Sequence, residues 1–156
     1  MRTLALMGVV LVLGGVATAA DLKAGWAVQY HQDTFTEEVR PRAVVNENGD
    51  DFDRSTLSLV CGGQSVFFAY SPGGLSFEQD MTVQFKGPDG SLTVEFVGAD
   101  VPLFGQIRVA SESDTAALAE IFNLGDDVPF RTETADGTFP AIGFGEVQAI
   151  SKAACP

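Results

Sequence analysis

Few residues in this chain can do nucleophilic or acid–base chemistry. There is one histidine, His31, and there are two cysteines, Cys61 and Cys155. A serine or cysteine nucleophile works beside a positioned base, so His31 would have to serve any such triad. Its surroundings, Gln29-Tyr30-His31-Gln32-Asp33, match no catalytic motif, and no G-x-S-x-G segment occurs. His31 therefore reads as a surface residue at the end of a strand. The same scarcity argues against zinc, which usually takes three or four imidazole, thiolate or carboxylate ligands. The C-x-x-C spacing of a redox centre is absent.

Oxygen ligands are plentiful. The stretch carrying Asn46, Asn48, Asp50 and Asp53 is the best calcium candidate. An EF-hand loop wants oxygens at positions 1, 3 and 5 with glycine at 6. Counted from Asn46, Gly49 falls at position 4, so the motif fails and a solvated acidic hairpin is expected. Neither a metal nor a cofactor is expected. Two carboxylates about 5–10 Å apart would suffice for glycoside hydrolysis, but 21 acids single out no pair by spacing. Gly73-Gly74 and Gly143-Phe144-Gly145 lack the lysine of a phosphate-cradling loop.

The elements that must position these residues read as mainly β. Glycine and proline turn signals recur about every ten residues, between runs rich in Val, Phe and Thr. Strands are expected at 26–30, at 39–45 with Pro41 marking an edge or bulge, and at 57–61. Others are expected at 65–70, with an apolar run read as core, and at 80–86 and 92–96. The last two form a hairpin about Gly87-Pro88-Asp89-Gly90. Asn48-Gly49 suits a type I′ turn. Later strands are expected at 128–132 and 138–144.

Two short helices are expected near 113–123 and 146–154. Ser111-Glu112-Ser113-Asp114 has capping-box spacing, Ala117, Leu118, Ile121 and Phe122 share a helical face, and Gly125 follows as a stop. The fold class is an antiparallel β-sandwich or curved sheet with two short helices.

The amino terminus bears on where these thiols act. Arg2 precedes an apolar run from Leu4 to Val16, then Ala17-Thr18-Ala19-Ala20. That order is a signal peptide over residues 1–20, leaving one exported domain, 21–156. A helix of that apolar run rises about 20 Å, short of a bilayer core of roughly 30 Å, so no membrane span is expected after cleavage. Removing it takes one cation and no acid, so a net charge of −12 becomes −13. Such a surface repels nucleic acid and anionic lipid. In an oxidising compartment an even cysteine count reads as one disulfide, with an intermolecular bridge or a metal pair as alternatives.

The pattern resembles the envelope proteins associated with type VI secretion of the TagO and VasI kind, and their alphaproteobacterial relatives. The matching pieces are Trp26, Asp33-Thr34-Phe35-Thr36, Leu57-Ser58-Leu59-Val60-Cys61, Thr138-Phe139-Pro140-Ala141-Ile142-Gly143-Phe144, Ala149-Ile150 and Cys155. An arginine that those proteins carry centrally has no counterpart in Thr82–Asp89. The resemblance implies an exported β fold and a secretion-associated setting, and it carries no catalytic residues.

The functional expectation is a non-enzymatic periplasmic or secreted accessory protein that binds or scaffolds another envelope protein. The alternatives are an envelope hydrolase acting on glycans through paired carboxylates, and an acidic inhibitor or binder of a basic enzyme.

Overall fold

The computed structural model describes residues 25–49, 54–73 and 80–155. The export segment 1–20, together with Asp50 and Asp53 of the calcium candidate, lies outside them.

Nine antiparallel strands form one curled sheet. They are β1 (Ala27–Gln32), β2 (Val39–Asn46), β3 (Thr56–Gly62), β4 (Ser65–Ser71), β5 (Met81–Gly87), β6 (Gly90–Val101), β7 (Gly105–Val109), β8 (Val128–Arg131) and β9 (Asp136–Phe139). Their spatial order is β1-β2-β3-β4-β7-β6-β5-β8-β9. The result is a curved sheet rather than a two-sheet sandwich. The curl comes from β6, which is long enough to pair with β5 along its first half and with β7 along its second. Curling brings the far edge back. The Asn48 amide donates to the Thr138 carbonyl at 2.8 Å, joining the β2–β3 loop to β9.

Helices α1 (Glu112–Asn123) and α2 (Phe144–Ala154) lie on one face of the sheet, α1 against β4 and β6, α2 against β2, β3 and β4. Alternation explains which side chains meet them. Leu57 and Leu59 of β3, Phe68 and Tyr70 of β4, Val83 and Phe85 of β5, and Val94 and Phe96 of β6 are all buried in one core. Leu118, Ala119 and Phe122 of α1 and Phe144 and Val147 of α2 complete it. At its centre the Trp26 ring meets Phe68, Phe122 and Phe144 edge-on, with centroids 5.2–6.0 Å apart. Aromatic pairs favour that arrangement.

Helix α1 starts as its cap spacing demands: the Ser111 hydroxyl accepts from the Asp114 amide at 3.1 Å. It stops at Leu124, with Gly125 beyond at φ 86°. The expected strand 138–144 is cut short. It ends at Phe139, Pro140 follows, and Gly143 at φ 83° turns the chain so that Phe144 opens α2. A left-handed residue ends an extended run, and glycine bears it without a Cβ clash. The type I′ expectation at Asn48-Gly49 also fails, because Asn46 pairs with Thr56 and leaves a long loop between them. Pro41 sits in an internal strand, but the register with β3 begins only at Ala43, so Pro41 pairs with β1 alone. Strand β7 and the second half of β6 carried no expectation.

Candidate functional site

Cys61 ends up with Cys155, at a Cα–Cα distance of 5.6 Å. The bridge ties the end of α2 to β3, and the described cysteines leave no free thiol. Cys61 lies on the core face of β3, and Cys155 follows the last turn of α2, which packs on that strand. A disulfide geometry of this reach needs no backbone distortion. Neither sulfur is then available as a nucleophile or a metal ligand.

The calcium candidate is not assembled as a ligand set in the described residues. The Asn46 carboxamide oxygen accepts from the Thr56 hydroxyl at 2.9 Å, and the Asn48 amide group donates to Asp127 at 3.2 Å. Among the described residues no group of three His, Cys, Asp or Glu side chains is close enough to hold a metal.

His31 corrects one expectation. It does end a strand, but it is half-buried rather than a surface residue. It lies on the face of the sheet opposite the helices, where Val60, Ala69 and Val101 form a second apolar cluster with Phe67, Phe104 and Ile107. The Phe104 ring stands edge-on to the imidazole at 5.1 Å. The same ring lies 5.8 Å from the guanidinium carbon of Arg42. Arg42 Nη2 donates to the hydroxyl of buried Ser58 at 3.2 Å. Thus three strands and a turn meet at one spot: His31 from β1, Arg42 from β2, Ser58 from β3 and Phe104 from the β6–β7 turn.

Local geometry makes that meeting. His31 pairs with Arg40 across the β1–β2 ladder, and Gln29 pairs with Arg42, so residues at even spacing on β2 share this face. Phe104 is aimed by a tight turn, in which its amide donates to the Val101 carbonyl at 2.9 Å and Leu103 takes φ 70°. A non-glycine residue in that region costs of order 1 kcal/mol or more. Desolvation, and next the Arg42 charge, hold the His31 pKa below its ordinary 6.5. Desolvation likewise lowers that of Arg42. Ser58 bonds Arg42 and not His31, so no serine–histidine pair is formed here.

The hairpin carrying His31 has a different character on its other face and at its tip. Tyr30 is 67% exposed, Val39 53% and Phe35 97%. Asp33 fixes the tip. Its carboxylate accepts from the Phe35 and Thr36 amides at 2.7 and 3.0 Å, and those bonds hold its pKa low. Its own amide donates to the Glu38 carbonyl at 2.8 Å, and Arg40 Nε donates to the Glu38 carboxylate at 2.6 Å. The apolar tip is therefore presented on a turn closed by its own hydrogen bonds.

Sequence reasoning named His31 but missed Arg42, Ser58, Phe104 and the apolar hairpin. The period-two placement of Arg40 and Arg42 was available as a signal for one cationic face. Phe104 gave none, because its position depends on β6 and β7.

No protein family, curated protein or solved structure matches this chain. Among the described residues no helix is long and apolar enough to cross a membrane.

Proposed function

We propose that this chain is an exported, non-enzymatic accessory protein of the cell envelope that holds another envelope protein through its β1–β2 hairpin. The observation that carries the reading is the concentration of Tyr30, Phe35 and Val39 on one preorganised hairpin. These are three of the six most exposed large apolar side chains among the described residues. Scattered surface apolar residues need no explanation, but a cluster on a rigid element marks an interaction surface.

Strand β1 adds a second means of contact. It pairs with β2 on one side and is the first strand of the sheet, so its outer backbone groups lie at an edge. An extended segment of a partner can add there, with backbone hydrogen bonds supplying affinity and Tyr30 and Val28 supplying side-chain contacts. The Cys61–Cys155 bridge and the signal-like amino terminus support an oxidising compartment. The TagO and VasI resemblance points to a secretion apparatus as the setting.

The test is site-specific photocrosslinking in the exporting cell. A crosslinker replacing Phe35 is expected to capture one protein that a crosslinker at Asp89, in the β5–β6 turn, does not. With that protein purified, Tyr30→Ser and Phe35→Ser are expected to weaken binding roughly a hundredfold together, as loss of two aromatic anchors does. Equal capture at both positions, or equal affinity of the folded variants, would sink the reading.

A further inference from the structure

Among the described residues, no carboxylate answers the charge of Arg42. It meets the neutral Ser58 hydroxyl and the Phe104 ring. Its Nε is buried with no hydrogen-bond partner among the described residues. The neighbouring Arg40 shows the ordinary solution, an ion pair with Glu38. A desolvated cation without a counter-charge is costly, and an unpaired buried donor adds to that cost. This happens in a chain whose net charge is −12, where carboxylates are abundant.

His31 repeats the same deficit. Its Nε2 is also buried and also lacks a partner among the described residues. Both side chains touch the same Phe104 ring, so the two unanswered nitrogens belong to one place on the sheet. Ser58 accepts from Arg42 and so keeps one hydroxyl hydrogen to give. The turn that puts Phe104 there holds Leu103 at φ 70°, a conformation leucine rarely adopts.

The geometry points to a binding site for one carboxylate group at Arg42, with His31 and Ser58 as further hydrogen-bonding groups and Phe104 as its apolar wall. The guanidinium fork matches the two oxygens of a carboxylate and is the usual choice for that ligand. One unanswered fixed charge suits a monoanion. A dianion such as phosphate would bring a second charge into a protein already strongly negative, and Arg40 is not free to meet it. The site is separate from the apolar face of the hairpin, and it stands whether or not that face binds a protein.

The single histidine makes the test direct. In the disulfide-bonded protein, the His31 ring gives one imidazole Cε1–H resonance, since no other histidine exists. Acetate, titrated at constant ionic strength against chloride, is expected to move that resonance along a saturable curve and to raise the apparent His31 pKa. Arg42→Met is expected to weaken the response roughly tenfold or more, and Arg42→Lys to weaken it less, since charge is kept while the fork is lost. Ser58→Ala tests the same site if Arg42→Met does not fold. Arg131→Met, on β8, is expected to leave the curve unchanged.

N-acetylglycine separates the sources. Saturation at much lower concentration than acetate identifies a peptide terminus, and equal saturation identifies a free small acid. A linear response, an equal response in folded Arg42→Met, or tighter saturation by inorganic phosphate than by acetate would overturn the assignment.

Discussion

A guanidinium that loses water needs its charge met, and Arg42 is met by a hydroxyl and a ring face. Burial of His31, and next the charge of Arg42 beside it, depresses the protonation of the imidazole. That has a consequence for stability with a definite sign. The folded pKa lies below 6.5, so the unfolded chain takes up its proton first as pH falls. The contribution is whole above about pH 6.5 and is lost as pH falls from there through the lower folded value. His31→Gln is therefore expected to show a smaller loss of urea midpoint than the parent between about pH 7.5 and about pH 5.5. Identical losses in the two proteins would show that His31 titrates alike folded and unfolded. Exposed Asp33 has its pKa lowered by the Phe35 and Thr36 amides, so its contribution is present above the usual carboxylate value and fades in acid.

At the scale of elements, local sequence and local geometry agree best where a side chain closes its own turn. Helix α1 is the clear case. Ser111 caps the Asp114 amide, Glu112 and Asp114 put negative charge in the first turn, and Gly125 follows the last. Ser111→Ala is expected to cost about 1 kcal/mol in chemical denaturation. A change under a few tenths would mean that the cap is replaced by water. The hairpin about Gly87-Pro88-Asp89-Gly90 was legible for the same reason: alternation ran cleanly on both sides, and Gly87 does pair with Gly90. The segment 138–144 was misread because its residues favour strand while Gly143 must serve α2. What fixes Gly143 there is its left-handed backbone, φ 83°, which a residue with a Cβ rarely adopts.

Across the whole molecule, few devices hold a curled sheet closed. The Asn48–Thr138 backbone bond joins the β2–β3 loop to β9, and the aromatic cluster fills the space under both helices. The disulfide is the covalent device, with a sequence separation of 94. A loop of that length gives about 4–5 kcal/mol in the chain-entropy model. Replacing both cysteines by serine is expected to remove most of that, measured as a lower guanidinium midpoint with the fold retained. An unchanged midpoint would show that α2 is held by its apolar contacts alone. The bridge joins an internal strand to the last helix, so its loss acts on the docking of α2 against β2, β3 and β4, in which the exposed tip residue Phe35 takes no part. Binding through Phe35 should therefore persist in the reduced state at temperatures where the protein stays folded.

The amino-acid sequence by itself determined the β class, the two helices, the cap of α1 and the even cysteine count, because alternation, capping and turn chemistry act over a few neighbouring residues. Only the tertiary structure decided which residues could do anything together. His31, Arg42 and Ser58 come from three adjacent strands, and Phe104 arrives from a fourth part of the chain on a turn between β6 and β7. Their meeting depends on strand register and on the curl of the sheet, which no local pattern encodes. The same holds for the exposed hairpin. Tyr30, Phe35 and Val39 look like core residues in sequence, and they stay exposed because they lie toward the hairpin tip, while Val28, Ala43 and Val45 at its other end reach the core.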